Sequence, residues 1–213
     1  MPTFDSERAA RLHRELQSHL PSDPALRVKT LESLAVELGL VAPESIDAWI
    51  EAYSERIGPL RGARVVARAW LDHEFKARLL QNAADAIKEF GFQGNATGHL
   101  KAVENNDTQH NLVVCTLCSC YPFSILGMSP AWYKSTEYRA RAVREPRKVL
   151  AEFGVTLSDD VGIRVWDSTS ELRYLVVPQR PEATQGWDED QLTAIVTRNS
   201  MIGTERDLKT EAA

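Results

Sequence analysis

The chain has 213 residues, 43% hydrophobic and 26% charged, with a formal net charge of -5. That balance suits an ordinary folded domain and leaves no clustered basic face for a nucleic-acid partner. Apolar runs stay short of the roughly 20 residues that span a bilayer, and Met1-Pro2-Thr3-Phe4-Asp5 lacks the basic-then-apolar pattern of a secretory leader, so a cytoplasmic protein without a membrane partner is expected.

The first ninety residues read as helical. Ser22 and Pro24 mark a helix start, after which Leu26, Val28, Leu31, Leu34, Ala35 and Leu38 keep one apolar face until Gly39. A second helix is expected from Pro43 to Ile57, stopped by Gly58-Pro59. A third runs from Leu60 to Leu71, and Asp72 is the expected N-cap of a fourth reaching about Phe90. Gly91, Gly94 and Gly98 then break the pattern. Asn111 to Cys115 is a short β-branched run that reads as a strand. Ser135 to Arg144 and Pro146 to Phe153 read as helices. Gly162 to Trp166 and Glu171 to Val177 read as the strands of a hairpin around Asp167-Ser168-Thr169-Ser170, and Asp188 to Thr197 as a closing helix. The expected class is α+β. A helical N-terminal arm (1–90) precedes a layered α/β metal-binding catalytic domain (91–203) and a charged, disordered tail (204–213). An extended helical arm packs poorly alone, so a partner chain is expected.

All 3 cysteines, Cys115, Cys118 and Cys120, lie within one C-x-x-C-x-C segment. A secreted disulfide framework would spread an even number along the chain. Three thiolates this close repel one another unless a cation sits between them. A structural zinc site wants four N or S ligands, usually as two separated pairs. Here a second pair is missing, and the nearest histidine is His110. A redox C-x-x-C leaves the third cysteine unexplained. Another shell is available within the segment itself: the backbone nitrogens of Ser119 and Cys120 lie in the same turn as the sulfurs. Deprotonated, they would complete a set of three sulfurs and two nitrogens with a sixth position open. Such a set suits a trivalent ion, and an open position on a Lewis acid is what hydration chemistry requires. No Ser-His-Asp or Cys-His-Glu arrangement is discernible, so a nitrilase-type covalent mechanism lacks its base.

Val114-Cys115-Thr116-Leu117-Cys118-Ser119-Cys120-Tyr121-Pro122 resembles the metal-binding motif of the nitrile hydratase α subunit and of the related thiocyanate hydrolase γ subunit. The likeness extends to Val103-Glu104-Asn105, Pro130-Ala131-Trp132-Tyr133-Lys134-Ser135, Tyr138-Arg139, Ile163-Arg164-Val165-Trp166-Asp167, Arg173-Tyr174 and Ser200-Met201-Ile202-Gly203. It covers residues 26–203.

The resemblance implies a nitrile-hydrating lyase with one metal per α subunit. Cys115 would bind as a thiolate, Cys118 as a sulfinate and Cys120 as a sulfenate, with the amides of Ser119 and Cys120 completing the ligands. The sulfenate oxygen of Cys120 is a candidate nucleophile or base. Thr116 and Tyr121 resemble the cobalt members, so cobalt(III) is favoured over iron(III). Gln93 resembles a pocket-lining glutamine, and Arg173 an arginine supporting the subunit interface near the metal. Phe123 stands where many cobalt members carry tryptophan. The resemblance also implies an obligate β subunit, in an αβ or (αβ)2 assembly, whose arginines hydrogen-bond the oxidised sulfurs. A thiocyanate hydrolase γ subunit and a non-catalytic zinc protein are the alternatives.

Overall fold

The computed structural model describes residues 23–51, 58–92, 99–117 and 120–210. By its contacts the chain divides into two compact units, Met1–Trp49 and Ile50–Ala213.

Two helices, α1 (Asp23–Glu37) and α2 (Pro43–Glu51), bury no side chain along their length. Leu31, Leu38, Leu40 and Trp49 are all more than half exposed (67%, 70%, 73% and 62%). The rest of the expected second helix, 52–57, and Ser22 lie outside the described residues.

In the second unit, α3 (Gly58–Leu71) starts at the Gly-Pro pair read as a stop. Proline is well suited to a first helical turn, where its missing N–H has no intrahelical partner. Asp72 caps α4 (His73–Gln81), its carboxylate accepting from the Glu74 and Phe75 amides at 3.0 and 2.9 Å. The single helix expected to Phe90 is interrupted. Asn82 leaves helical geometry (φ -149°) and its side chain caps a new short turn, α5 (Ala83–Ala86), followed by a 3-10 turn to Phe90. Helices α3 to α5 supply a large share of the buried core, including Val65, Val66, Phe75, Leu79 and Ala83. Residues that read from sequence as part of the arm thus pack with the sheets.

The strands are β1 (His99–Glu104), β2 (Gln109–Val114), β3 (Gly162–Asp167) and β4 (Leu172–Val177). The first of these was not expected. The expected hairpin is not formed: β1 pairs in parallel with β4, and β2 in parallel with β3. The burial pattern explains the difference. β2 is buried from His110 onward and β4 from Tyr174, so each needs cover on both faces, as parallel strands with crossover connections have. The Ser168 amide donates to Val114 O at 2.7 Å, which carries the chain off the end of one sheet before β4 joins the other.

The crossover from β2 to β3 contains α6 (Phe123–Leu126), a 3-10 turn (Ala131–Lys134), α7 (Thr136–Arg144) and α8 (Pro146–Glu152). After β4 come α9 (Glu189–Ile195), closed by an Asp188/Gln191 capping box, and α10 (Arg198–Ile202). The segment expected to be a disordered tail is placed as far as Thr210. Thr204 and Leu208 are buried, and Thr204 N donates to Asn199 O at 2.9 Å. No described helix is long and apolar enough to cross a membrane.

A buried polar knot ties β2 to the C-terminal segment. His110 Nε2 lies 2.7 Å from Gly203 O, which can only accept, so that nitrogen carries the proton. The Asn105 Oδ1 accepts from the Asn111 amide at 2.7 Å, which turns the Asn105 Nδ2 towards His110 Nδ1 at 3.3 Å. A protonated ring would set two donors against each other. Burial accordingly holds the His110 pKa below its ordinary value. The folded value is depressed, so this contribution to stability is complete above the unfolded histidine range and is lost as pH falls through and below it. Melting temperatures between pH 7.5 and 5.5 are therefore expected to fall more steeply in the natural protein than in a His110→Gln variant. Parallel slopes would refute this role for the knot.

Candidate metal centre

β2 ends at Val114, and the chain leaves the ladder at Cys115 into an irregular turn. Cys115 is fully buried, Thr116 half-buried, Leu117 exposed (84%), and Cys120 half-buried. Cys118 and Ser119 lie outside the described residues, as does Gln93. Beyond the turn, Tyr121 and Pro122 are buried and lead into α6. That short helix sits hard against α3. A Cβ added to Gly62 would lie 2.9 Å from Ile125 O, and one on Gly58 only 1.9 Å from Gly127 Cα. The downstream limb of the turn thus rests directly on helix backbone.

An irregular turn has no ladder to satisfy its carbonyls, yet buried carbonyls must be paired. Here three side chains from one stretch of the crossover meet them. Tyr138 Oη donates to Val113 O at 2.6 Å. Arg139 donates from Nε to Cys115 O at 3.0 Å and from Nη2 to Thr116 O at 2.6 Å. Tyr133 Oη donates to Cys120 O at 3.0 Å. Asp167, at the end of β3, grips the turn from another side. Its carboxylate accepts from the Thr116 amide at 2.9 Å and from the Thr116 hydroxyl at 2.5 Å.

The electrostatics of the turn bear on Tyr133. Burial pushes the Tyr133 phenol well above its ordinary value, and the neighbouring Cys115, Cys120 and Asp167 push it the same way. It stays a neutral donor, and its field-sensing neighbours place both described cysteines in one locality. Tyr121 stacks edge-on against Tyr133 with centroids 5.1 Å apart, and its buried hydroxyl finds no partner among the described residues. The cysteines of this turn fit a thiophilic ion: one sulfur is dry, and another is partly open. His110 does not fit as a zinc ligand, because both ring nitrogens are engaged in the polar knot. Among the described residues, no three His, Cys, Asp or Glu side chains gather into a metal site elsewhere.

Of the other expected residues, Arg173 lies on β4 opposite Leu100, with a buried Nε that has no acceptor among the described residues. Phe123 opens α6 and is half-buried. Tyr133, Tyr138, Arg139 and Asp167 carry no role that residue type alone reveals. The one sequence signal for them is that all four fall within the stretches that match the family's pattern.

The Thr116–Asp167 bond needs only a hydroxyl at position 116. Serine can make the same hydroxyl bond. Thr116→Ser is therefore expected to leave stability within about 0.5 kcal/mol, whereas Thr116→Val should cost about 1 kcal/mol by losing one hydrogen bond to an exposed carboxylate. Denaturant melts of the two variants check this, and equal losses would contradict it.

Three comparisons with known proteins agree with this geometry. The family model described as nitrile hydratase, alpha chain, matches residues 22–205. The low-molecular weight cobalt-containing nitrile hydratase subunit alpha of Rhodococcus rhodochrous is 51% identical over 194 residues, covering 90% of this chain and 94% of the relative. Thiocyanate hydrolase subunit gamma of Thiobacillus thioparus is 45% identical, covering 85% of this chain and 79% of the relative. Among solved structures, a histidine double mutant of the Fe-type nitrile hydratase from Comamonas testosteroni Ni1 superposes with a TM-score of 0.76 at 42% identity, covering 87% of this chain and 92% of that one.

Proposed function

The chain belongs to the nitrile hydratase α-chain family, and from that premise we propose that it is the metal-carrying α subunit of an enzyme that hydrates nitriles to amides. The observation that carries this reading is the turn after β2, where buried Cys115 and half-buried Cys120 are each held by a side chain on their backbone carbonyl. Cys115, Cys118 and Cys120, with the amides of Ser119 and Cys120, would hold one ion per chain. When bound, that ion, cobalt(III) in preference to iron(III), supplies Lewis-acid polarisation of the nitrile. Cobalt is supported by the cobalt-containing relatives at 51% and 47% identity.

The chain's own residues divide the remaining work. Cys115 stays a thiolate in its dry position. Cys118 as a sulfinate and Cys120 as a sulfenate carry the oxygen functions, the Cys120 oxygen being the group placed to attack or to accept a proton. By the family resemblance, Gln93 would line the pocket and orient the substrate. Arg173, whose buried Nε has no acceptor among the described residues, meets a partner's oxygen at the subunit interface.

That partner is a β subunit, in an αβ or (αβ)2 assembly. The apolar side chains of α1 and α2 support it, since helices that bury nothing of their own gain most from a covering chain. The 45% identity with the thiocyanate hydrolase γ subunit supports a second reading, with thiocyanate as substrate. Purifying the chain with its natural partners and offering a small nitrile and thiocyanate separately decides between them. One partner type and amide formation are expected. Two partner types with thiocyanate conversion and no amide would overturn the first reading.

A further inference from the structure

The stretch between residues 131 and 144 does more than fill space behind the turn. Its 3-10 turn and α7 form a stiff block. Trp132 packs edge-on against Tyr138 and Phe153, with centroids 4.8 and 4.7 Å apart, and Ser135 caps α7 by accepting from the Tyr138 amide at 3.1 Å. From this block Tyr133 and Arg139 reach three carbonyls, of Cys115, Thr116 and Cys120. These belong to both limbs of the claw, one before and one after its tip.

The contacts fall on main-chain oxygens and spare the sulfurs. A carbonyl held in place fixes its peptide plane, and through that plane the direction of the adjoining Cα–Cβ bonds. Arg139 is a planar fork with donors in fixed relation, so gripping two successive carbonyls sets the first limb's orientation as well as its position.

We propose that Tyr133 and Arg139 are positioning residues that fix the backbone at Cys115, Thr116 and Cys120 before metal arrives. This rests on the reading of the claw as a metal site. A merely structural role, satisfying buried carbonyls for the sake of the fold, would affect stability throughout the block and would not single out the metal-free claw.

The test compares amide hydrogen exchange of the peptide 114–121 in co-expressed complexes made with and without cobalt. Natural protein is compared with Tyr133→Phe, Arg139→Lys and Arg139→Gln. Tyr133→Phe removes one hydroxyl and keeps the ring, so it carries the test even if an Arg139 variant fails to assemble. The expected result is that metal-free exchange of 114–121 rises roughly tenfold in Tyr133→Phe and more in Arg139→Gln, with Arg139→Lys between natural protein and Arg139→Gln. Peptides of α7 keep their protection, and cobalt content at limiting supply falls in the same order. Metal-free exchange unchanged from the natural protein would overturn the proposal, as would acceleration spread equally over α7 and the sheets. Failure of the metal reading shows up separately, as a natural complex whose 114–121 exchange is the same with and without cobalt.

Discussion

Cys115→Ser complexes are expected to hold less than a tenth of the natural cobalt and to lose nitrile hydration by at least about 10³-fold. Cys115 is the driest of the described candidate ligands, fully buried just past β2, with its carbonyl held by Arg139. A serine there occupies nearly the same volume, so the core around Val113 and Val114 is left intact. What changes is the donor: an alcohol in a dry site keeps its proton, whereas a thiol yields a thiolate that a soft-accepting ion can hold. Metal analysis and amide production measure the two losses, and a circular dichroism melt close to the natural one shows that the fold survives. Retention of cobalt at the natural ratio would remove Cys115 from the ligand set.

Gly203→Ala is expected to destabilise the assembled protein by about 3–5 kcal/mol, lowering its melting temperature by roughly 10 °C or more. Two costs fall on this position. Its φ is +94°, a region that an L side chain rarely adopts, and a Cβ would lie 1.9 Å from Asn111 O. Neither neighbour can retreat cheaply, because Asn111 is locked by its amide and side chain to Asn105 and Glu104, and Gly203 O holds His110. Relief would have to come from moving β2, the strand that leads into the claw. A melting temperature within about 2 °C of the natural value would show that the C-terminal segment does not anchor that strand.

Local chemistry made parts of this architecture legible in the sequence. Asp72, Ser135 and Asp188 announce their helices because a short polar side chain before an apolar period satisfies orphan amides. The C-x-x-C-x-C spacing announces a metal because few other uses exist for three sulfurs on one turn. Strand partners were less legible. Period and β-branching identify β3 and β4, but a short link between them reads as a hairpin whether or not the strands then join different sheets. The interruption at Asn82 and the start of α3 at Gly58 turn on backbone geometry set by neighbours, as the Gly58–Gly127 approach shows. The claw's supports were hidden for a related reason. Tyr133 and Arg139 act on carbonyl oxygens, which every residue has, so their targets leave no mark in the sequence. The long span from Thr116 to Asp167 likewise closes only when β3 comes to lie beside β2.

The most direct test of the central claim is elemental analysis of the complex purified with its partner, combined with the mass of the peptide carrying Cys115, Cys118 and Cys120. The account predicts about one cobalt per chain and added mass equal to roughly three oxygen atoms on that peptide. Zinc with unmodified cysteines in fully assembled protein would contradict it.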